Sequence, residues 1–149
     1  MQVDRWLRTV KRLFLDTAPV IYYVEEHPQY IALVDKIFDR VDKGLTKAVT
    51  SAVTLAECLV IPYRASNVSL QQAFLDTLTR SRHTSFAVID QQTSERAAQL
   101  RARYNLRLAD AFQFAVALNS GCDTFLTNDN DLKRVTELKV VVLKELLQL

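Results

Sequence analysis

Four acidic residues stand at the end of an apolar run or inside one: Asp16 in "LFLDTAPVIYY", Glu57 in "TSAVTLAECLV", Asp110 in "LADAFQFAVAL" and Asp129 in "FLTNDNDL". Each has an ordinary reading. Asp16 can cap a helix, Asp110 can be a first-turn acid held by backbone N–H groups and the helix dipole, and Asp129 can belong to a polar turn. Glu57 resists such a reading, because it is the only charge between Lys47 and Arg64 and a lone carboxylate in an apolar segment calls for a cation. Brought together, such carboxylates cannot all stay ionised unless a cation compensates them. A divalent ion would do so. With oxygen ligands only, Mg²⁺ or Mn²⁺ is favoured, and such ions bind phosphate oxygens and support phosphodiester hydrolysis.

The elements that must position these acids follow from hydrophobic periodicity. Short apolar runs at 12–16, 48–53, 86–90, 123–128 and 139–143 alternate with helix-period segments near 18–25, 29–43, 54–65, 69–80, 91–104 and 108–120. That alternation predicts an α/β fold with a central parallel sheet. All four acids then fall at the carboxyl ends of strands or on the helix that follows, where open parallel sheets place their sites. Gly121 falls where a helix C-terminus would place it, and Pro62 is expected to bend or end the helix that begins near Thr54.

Composition narrows the function classes. The 149 residues suit one domain, expected to span 1–149 with a basic leader at 1–11; 49% are hydrophobic and 24% charged, a globular balance. Net charge is only +2, so no global field marks a nucleic-acid binder. Two glycines, Gly44 and Gly121, cannot supply a Walker loop or a dinucleotide fingerprint. Cys58 and Cys122 match no zinc spacing and are expected as buried small hydrophobes, while His27 and His83 are isolated. No run approaches the roughly 20 apolar residues of a membrane span, and the start lacks the features of a signal peptide. A cytoplasmic location is expected.

In the order, spacing and strand context of "LFLDT", "TSAVTLAECL", "LRLADAFQFAVAL" and "DTFLTNDNDL", the sequence resembles the PIN-domain family, and within it the VapC-like ribonuclease toxins of toxin–antitoxin systems. The resemblance implies a three-layer α/β/α sandwich, divalent-metal-dependent cleavage of single-stranded RNA, a homodimer, and a small antitoxin as inhibitory partner. It casts Asp16, Glu57, Asp110 and Asp129 as the catalytic, metal-binding set, with Thr17 and Thr127 as supporting hydroxyls. Asp131 rivals Asp129 for the fourth place, and is otherwise expected to cap a short helix at "LKRV". Many relatives begin almost directly with the first strand, so the leader is a departure whose role stays open.

Of the basic residues flanking the acids, Arg101 and Arg103 read as a solvated helix face, and Arg107 has the better claim to an RNA phosphate. Tyr22, Tyr23 and Tyr30 on the first helical hairpin, with Leu59, Ile61 and Tyr63 after Glu57, read mostly as core, some of them as a groove for an antitoxin helix. Two other readings stand beside the toxin: a housekeeping RNA-processing nuclease, and a non-catalytic scaffold that binds RNA or protein. A phosphoaspartyl receiver or phosphatase is weaker, because position 18 is Ala and no acidic pair accompanies Asp16.

Overall fold

In the computed structural model, which describes residues 2–149, the apolar runs form strands β1 Arg12–Leu15, β2 Lys47–Ser51, β3 Thr84–Ala87, β4 Thr124–Thr127 and β5 Lys139–Val142. All pairings are parallel, in the order β3-β2-β1-β4-β5. The helices are α1 Gln2–Thr9, α2 Thr17–Val24, α3 Ile31–Asp42, α4 Ala52–Arg64, α5 Val68–Thr79, α6 Gln91–Tyr104, α7 Leu108–Asn119 and α8 Leu143–Leu146, with a 3₁₀ turn at Asn130–Arg134.

Side chains alternate across each strand, so β1 feeds two cores. Leu13 and Leu15 join Ala48 and Leu126 against Val20 of α2, Val34 and Ile37 of α3, Cys58 of α4 and Phe74 of α5. Phe14, Val49 and Phe125 face the other way, against Ala97 and Leu100 of α6 and Ala111 and Phe114 of α7. Phe125 stacks between Phe14, at 5.0 Å, and Phe114, at 4.0 Å. The result is an α/β/α sandwich. Both sheet faces are covered, which is why the inner strands read as unbroken apolar runs.

The strand order has one reversal. From β1 the chain adds β2 and β3 on one side, then returns to add β4 and β5 on the other. The carboxyl ends of β1 and β4 flank that switch point, where such sheets bind ligands, and Asp16 and Asp129 follow those ends.

Several boundaries differ from expectation. β3 ends at Ala87 rather than reaching Asp90, because the Asp90 side chain caps α6, accepting from the Thr93 N–H at 2.9 Å and the Thr93 hydroxyl at 2.7 Å. β2 stops at Ser51, whose Oγ accepts from the N–H groups of Val53 and Thr54, so α4 starts two residues before Thr54. Pro62 does not end α4; the helix continues to Arg64. The leader forms α1, with Leu7 and Val10 buried and Val3 and Trp6 packed on the same core. Its Asp4 lies 3.7 Å from Lys36 of α3. Gly121 has φ +70° past the end of α7, where the N–H of Cys122 bonds the Ala117 carbonyl at 3.0 Å. Cys58 and Cys122 are buried and unpaired, and burial pushes both thiols up to about 12. No helix among the described residues is long and apolar enough to cross a membrane.

Candidate active site

Asp16 occupies the N-cap position of α2 yet makes no side-chain cap bond. Its carboxylate is held from elsewhere: Oδ2 accepts from the Thr127 hydroxyl at 2.7 Å and Oδ1 from the Gln113 amide at 3.4 Å. Burial raises the pKa of Asp16 above the ordinary carboxylate value, against the hydrogen bond from Thr127, and the negative charge of Asp110 adds to the rise. A side chain so placed gains from a nearby cation.

Glu57 lies on the second turn of α4. It is exposed, which removes the sequence-based argument that an apolar setting forces a cation on it. Its Oε1 accepts from the Thr17 hydroxyl at 3.0 Å. Asp110, the third residue of α7, is 9% exposed and accepts from Arg107 Nε at 3.0 Å, so its first partner is a side chain and not the helix backbone.

Asp129 caps the 3₁₀ turn, accepting from the Asp131 N–H at 3.0 Å, and its own N–H donates to Thr127 Oγ1 at 3.1 Å. The cap is therefore Asp129, not Asp131, because the turn begins at Asn130, two residues before "LKRV". Asp131 is exposed and does not line the pocket.

Asp16, Glu57, Asp110 and Asp129 all line one cavity of about 290 Å³, together with Thr17, Tyr22, Arg107, Thr127 and Asn128. A larger cavity of about 600 Å³ lies between α1, β5 and α8, but its only acid, Glu145, is tied to Lys133 at 2.7 Å. Among the described residues no three acidic, His or Cys side chains are turned closely enough together to enclose an ion. The reason is visible in their partners: Asp110 faces Arg107, Glu57 faces Thr17, and Asp129 faces the backbone. The donor chemistry nevertheless fits a hard divalent cation, since every candidate ligand is a carboxylate oxygen and burial strains Asp16 in its charged form.

Gln113 is the residue sequence reasoning passed over. Buried at 1% exposure, it donates to Asp16 and, at 2.6 Å, to Thr54 Oγ1, and accepts from the Ser51 hydroxyl. It thus ties the start of α4 to Asp16. Its signal was the spacing to Asp110, three residues along one face of an otherwise apolar helix. Asn128 was also missed: its amide donates to the hydroxyls of Tyr22 and Tyr30 at 3.1 and 3.2 Å, and its Oδ1 accepts from the Lys144 N–H.

Arg101 and Arg103 lie exposed, as expected of a helix face, but each has a partner. Arg101 is not merely solvated but donates to the Leu106 carbonyl; Arg103 pairs with Glu137 at 2.6 Å; Arg134 binds the carbonyls of Tyr104, Asn105 and Asp131. Only Arg107 reaches the cavity. Among the aromatics, Tyr22 stacks on Tyr30 at 4.6 Å and Tyr23 on Phe38 at 3.8 Å, whereas Ile61 and Tyr63 are 66% and 58% exposed and are not core.

A family model described as the PIN domain matches residues 13–138. No curated protein matches the sequence. Among solved structures, VapBC2 from Rickettsia felis bound to a promoter DNA fragment aligns with a TM-score of 0.71 at 17% identity, covering 88% of this chain and 98% of that one. A toxin–antitoxin complex from Klebsiella pneumoniae aligns at 0.68 and 20% identity, over 88% and 97% of the two chains. VapC20 of Mycobacterium tuberculosis, a sarcin-ricin loop cleaving toxin, aligns at 0.68 and 16% identity, over 85% and 98%. At these identities the likeness is one of fold.

Proposed function

The chain belongs to the PIN-domain family, and from that premise we propose that it is a divalent-metal-dependent endoribonuclease of single-stranded RNA, acting as the toxin of a toxin–antitoxin pair. The observation that carries the reading is the meeting of Asp16, Glu57, Asp110 and Asp129, from four separate segments, on one cavity at the switch point of the sheet. These four residues would hold Mg²⁺ or Mn²⁺. Such an ion, when bound, supplies activation of water and neutralises charge on the phosphate.

The chain's own contribution is placement. Thr127 and Gln113 hold the two oxygens of Asp16, and Thr17 holds Glu57. Arg107, exposed at the cavity rim, suits an RNA phosphate, a contact that favours affinity over sequence choice. Packing of α1 on the main core supports treating the leader and the sheet as one domain. The VapBC complexes among the structural relatives support an antitoxin as partner.

The test is incubation of the purified, antitoxin-free chain with mixed single-stranded RNAs in Mg²⁺, in Mn²⁺ and in EDTA, beside Asp110→Asn. Cleavage should require the metal and be lost in the variant while its fold is kept, since the partner of the Asp110 carboxylate, Arg107, is largely in water and the pair contributes little to stability. Full activity in Asp110→Asn, or in EDTA, would overturn the assignment. A wild-type chain that binds RNA without cutting it under any of these conditions would favour the scaffold.

A further inference from the structure

The cavity holds four acids and one base. Arg107 is the only Lys or Arg among its lining residues, and the other cations near it in sequence are engaged elsewhere: Arg101 on the Leu106 carbonyl, Arg103 on Glu137, Lys133 on Glu145 and Arg134 on three backbone carbonyls. None of these can stand in for Arg107 without losing its own partner.

The Arg107–Asp110 pair is also lopsided. The Asp110 side chain is 12% exposed and the Arg107 side chain 80%. The acid is fixed in the wall of the cavity; the base lies along its rim on a flexible stem. Beyond Asp110, the guanidinium also feels the charges of Asp129 and Glu57. An ion pair whose basic half is largely in water is easily exchanged.

We infer that Arg107 is an exchangeable counter-ion built into the acid cavity, which neutralises Asp110 in the metal-free protein, gives way when a divalent cation enters, and so sets the cation affinity of the site. The inference rests on the metal-binding reading of the cavity. It accounts for the orientation of Asp110 toward residue 107 rather than toward the other acids. It also makes an unusual demand on mutagenesis: removing a conspicuous active-site arginine should strengthen metal binding, because a dication must compete with the guanidinium for Asp110, and a unit positive charge near it in a water-accessible site opposes it by about tenfold in affinity.

Mn²⁺ titration of the chelator-stripped full chain, followed by the electron paramagnetic resonance signal of the free ion and without RNA, decides the matter. Arg107→Gln should bind Mn²⁺ about tenfold more tightly than wild type, and Arg107→Lys, which keeps the charge, should lie within about threefold of wild type. Arg107→Met repeats the neutral case with the stem retained, and a thermal melt of each variant in EDTA establishes that it is folded. If wild type binds Mn²⁺ and folded Arg107→Gln and Arg107→Met bind it equally or more weakly, the counter-ion role is overturned while the metal site stands. If wild type and both neutral variants fail to bind Mn²⁺, the metal reading of the cavity falls, and this inference with it.

Discussion

Asp16 shows what one residue's setting can decide. Its pKa is raised above 3.8, chiefly by burial, so the folded state holds the proton to higher pH than the unfolded chain. Between those two values the unfolded state binds fewer protons, and stability falls as pH rises. Above the raised value the penalty of the buried charge is fully present. In metal-free protein, Asp16→Asn should therefore flatten this part of the stability profile, and at neutral pH it should be at least as stable as wild type. The Asn side chain keeps an oxygen for the Thr127 hydroxyl and gives up only the long 3.4 Å contact from the Gln113 amide. Urea melts in EDTA between about pH 4 and pH 7 measure the difference; parallel profiles for the two proteins would contradict the burial argument. Cleavage should be lost in the same variant, separating the function of the charge from its effect on the fold.

At the scale of elements, the end of α7 gives a compact test of how local sequence fixes the frame around Asp110. Gly121 takes φ +70°, and nothing lies within 4 Å of where a Cβ would stand. Gly121→Ala should thus lower stability by about 1–2 kcal/mol through backbone strain alone, with RNA cleavage unchanged in the folded fraction; denaturant midpoints read it. This glycine was legible in the sequence, as were the bounds of α6 and most of the other long helices, because their apolar period extends over several turns. The bounds of the short edge strand β3, expected at 86–90 and found at Thr84–Ala87, were not. In "FAVID" the residues Val88, Ile89 and Asp90 look like a strand, but Val88 is 75% exposed and Asp90 belongs to the cap of α6, so local cap chemistry prevails over β-propensity. Asp16, Glu57 and Asp129 were legible by type and by place after a strand, and Asp110 by its apolar surroundings on α7, which follows α6; their hydrogen-bond partners were not. Gln113 meets Asp16 across 97 residues, and exposure of Glu57 depends on which face of α4 turns outward, both of which are tertiary facts.

The whole molecule carries one more feature that the cavity does not explain. Val60, Ile61, Tyr63 and Val68 are exposed at 44–71%, all within nine residues spanning the turn between α4 and α5. Large apolar side chains grouped on a surface mark interaction sites. On the toxin reading, two kinds of contact compete for such a surface: a second copy of this chain, as the family resemblance implies, and an apolar helix of an antitoxin. An Arg or Lys on the antitoxin tail would then compete with Arg107 for the acids. Ile61→Asp with Tyr63→Asp alters neither core nor cavity, since both side chains are mostly in solvent. This double variant, co-expressed with the product of a neighbouring antitoxin gene, should fail to retain that partner through purification and should arrest growth where wild type is rescued. Sedimentation of the isolated variant separates the two contacts: a dimer that no longer holds the antitoxin assigns the patch to the antitoxin, and a monomer assigns it to self-association. Retention of both the dimer and the antitoxin would show that this surface serves neither.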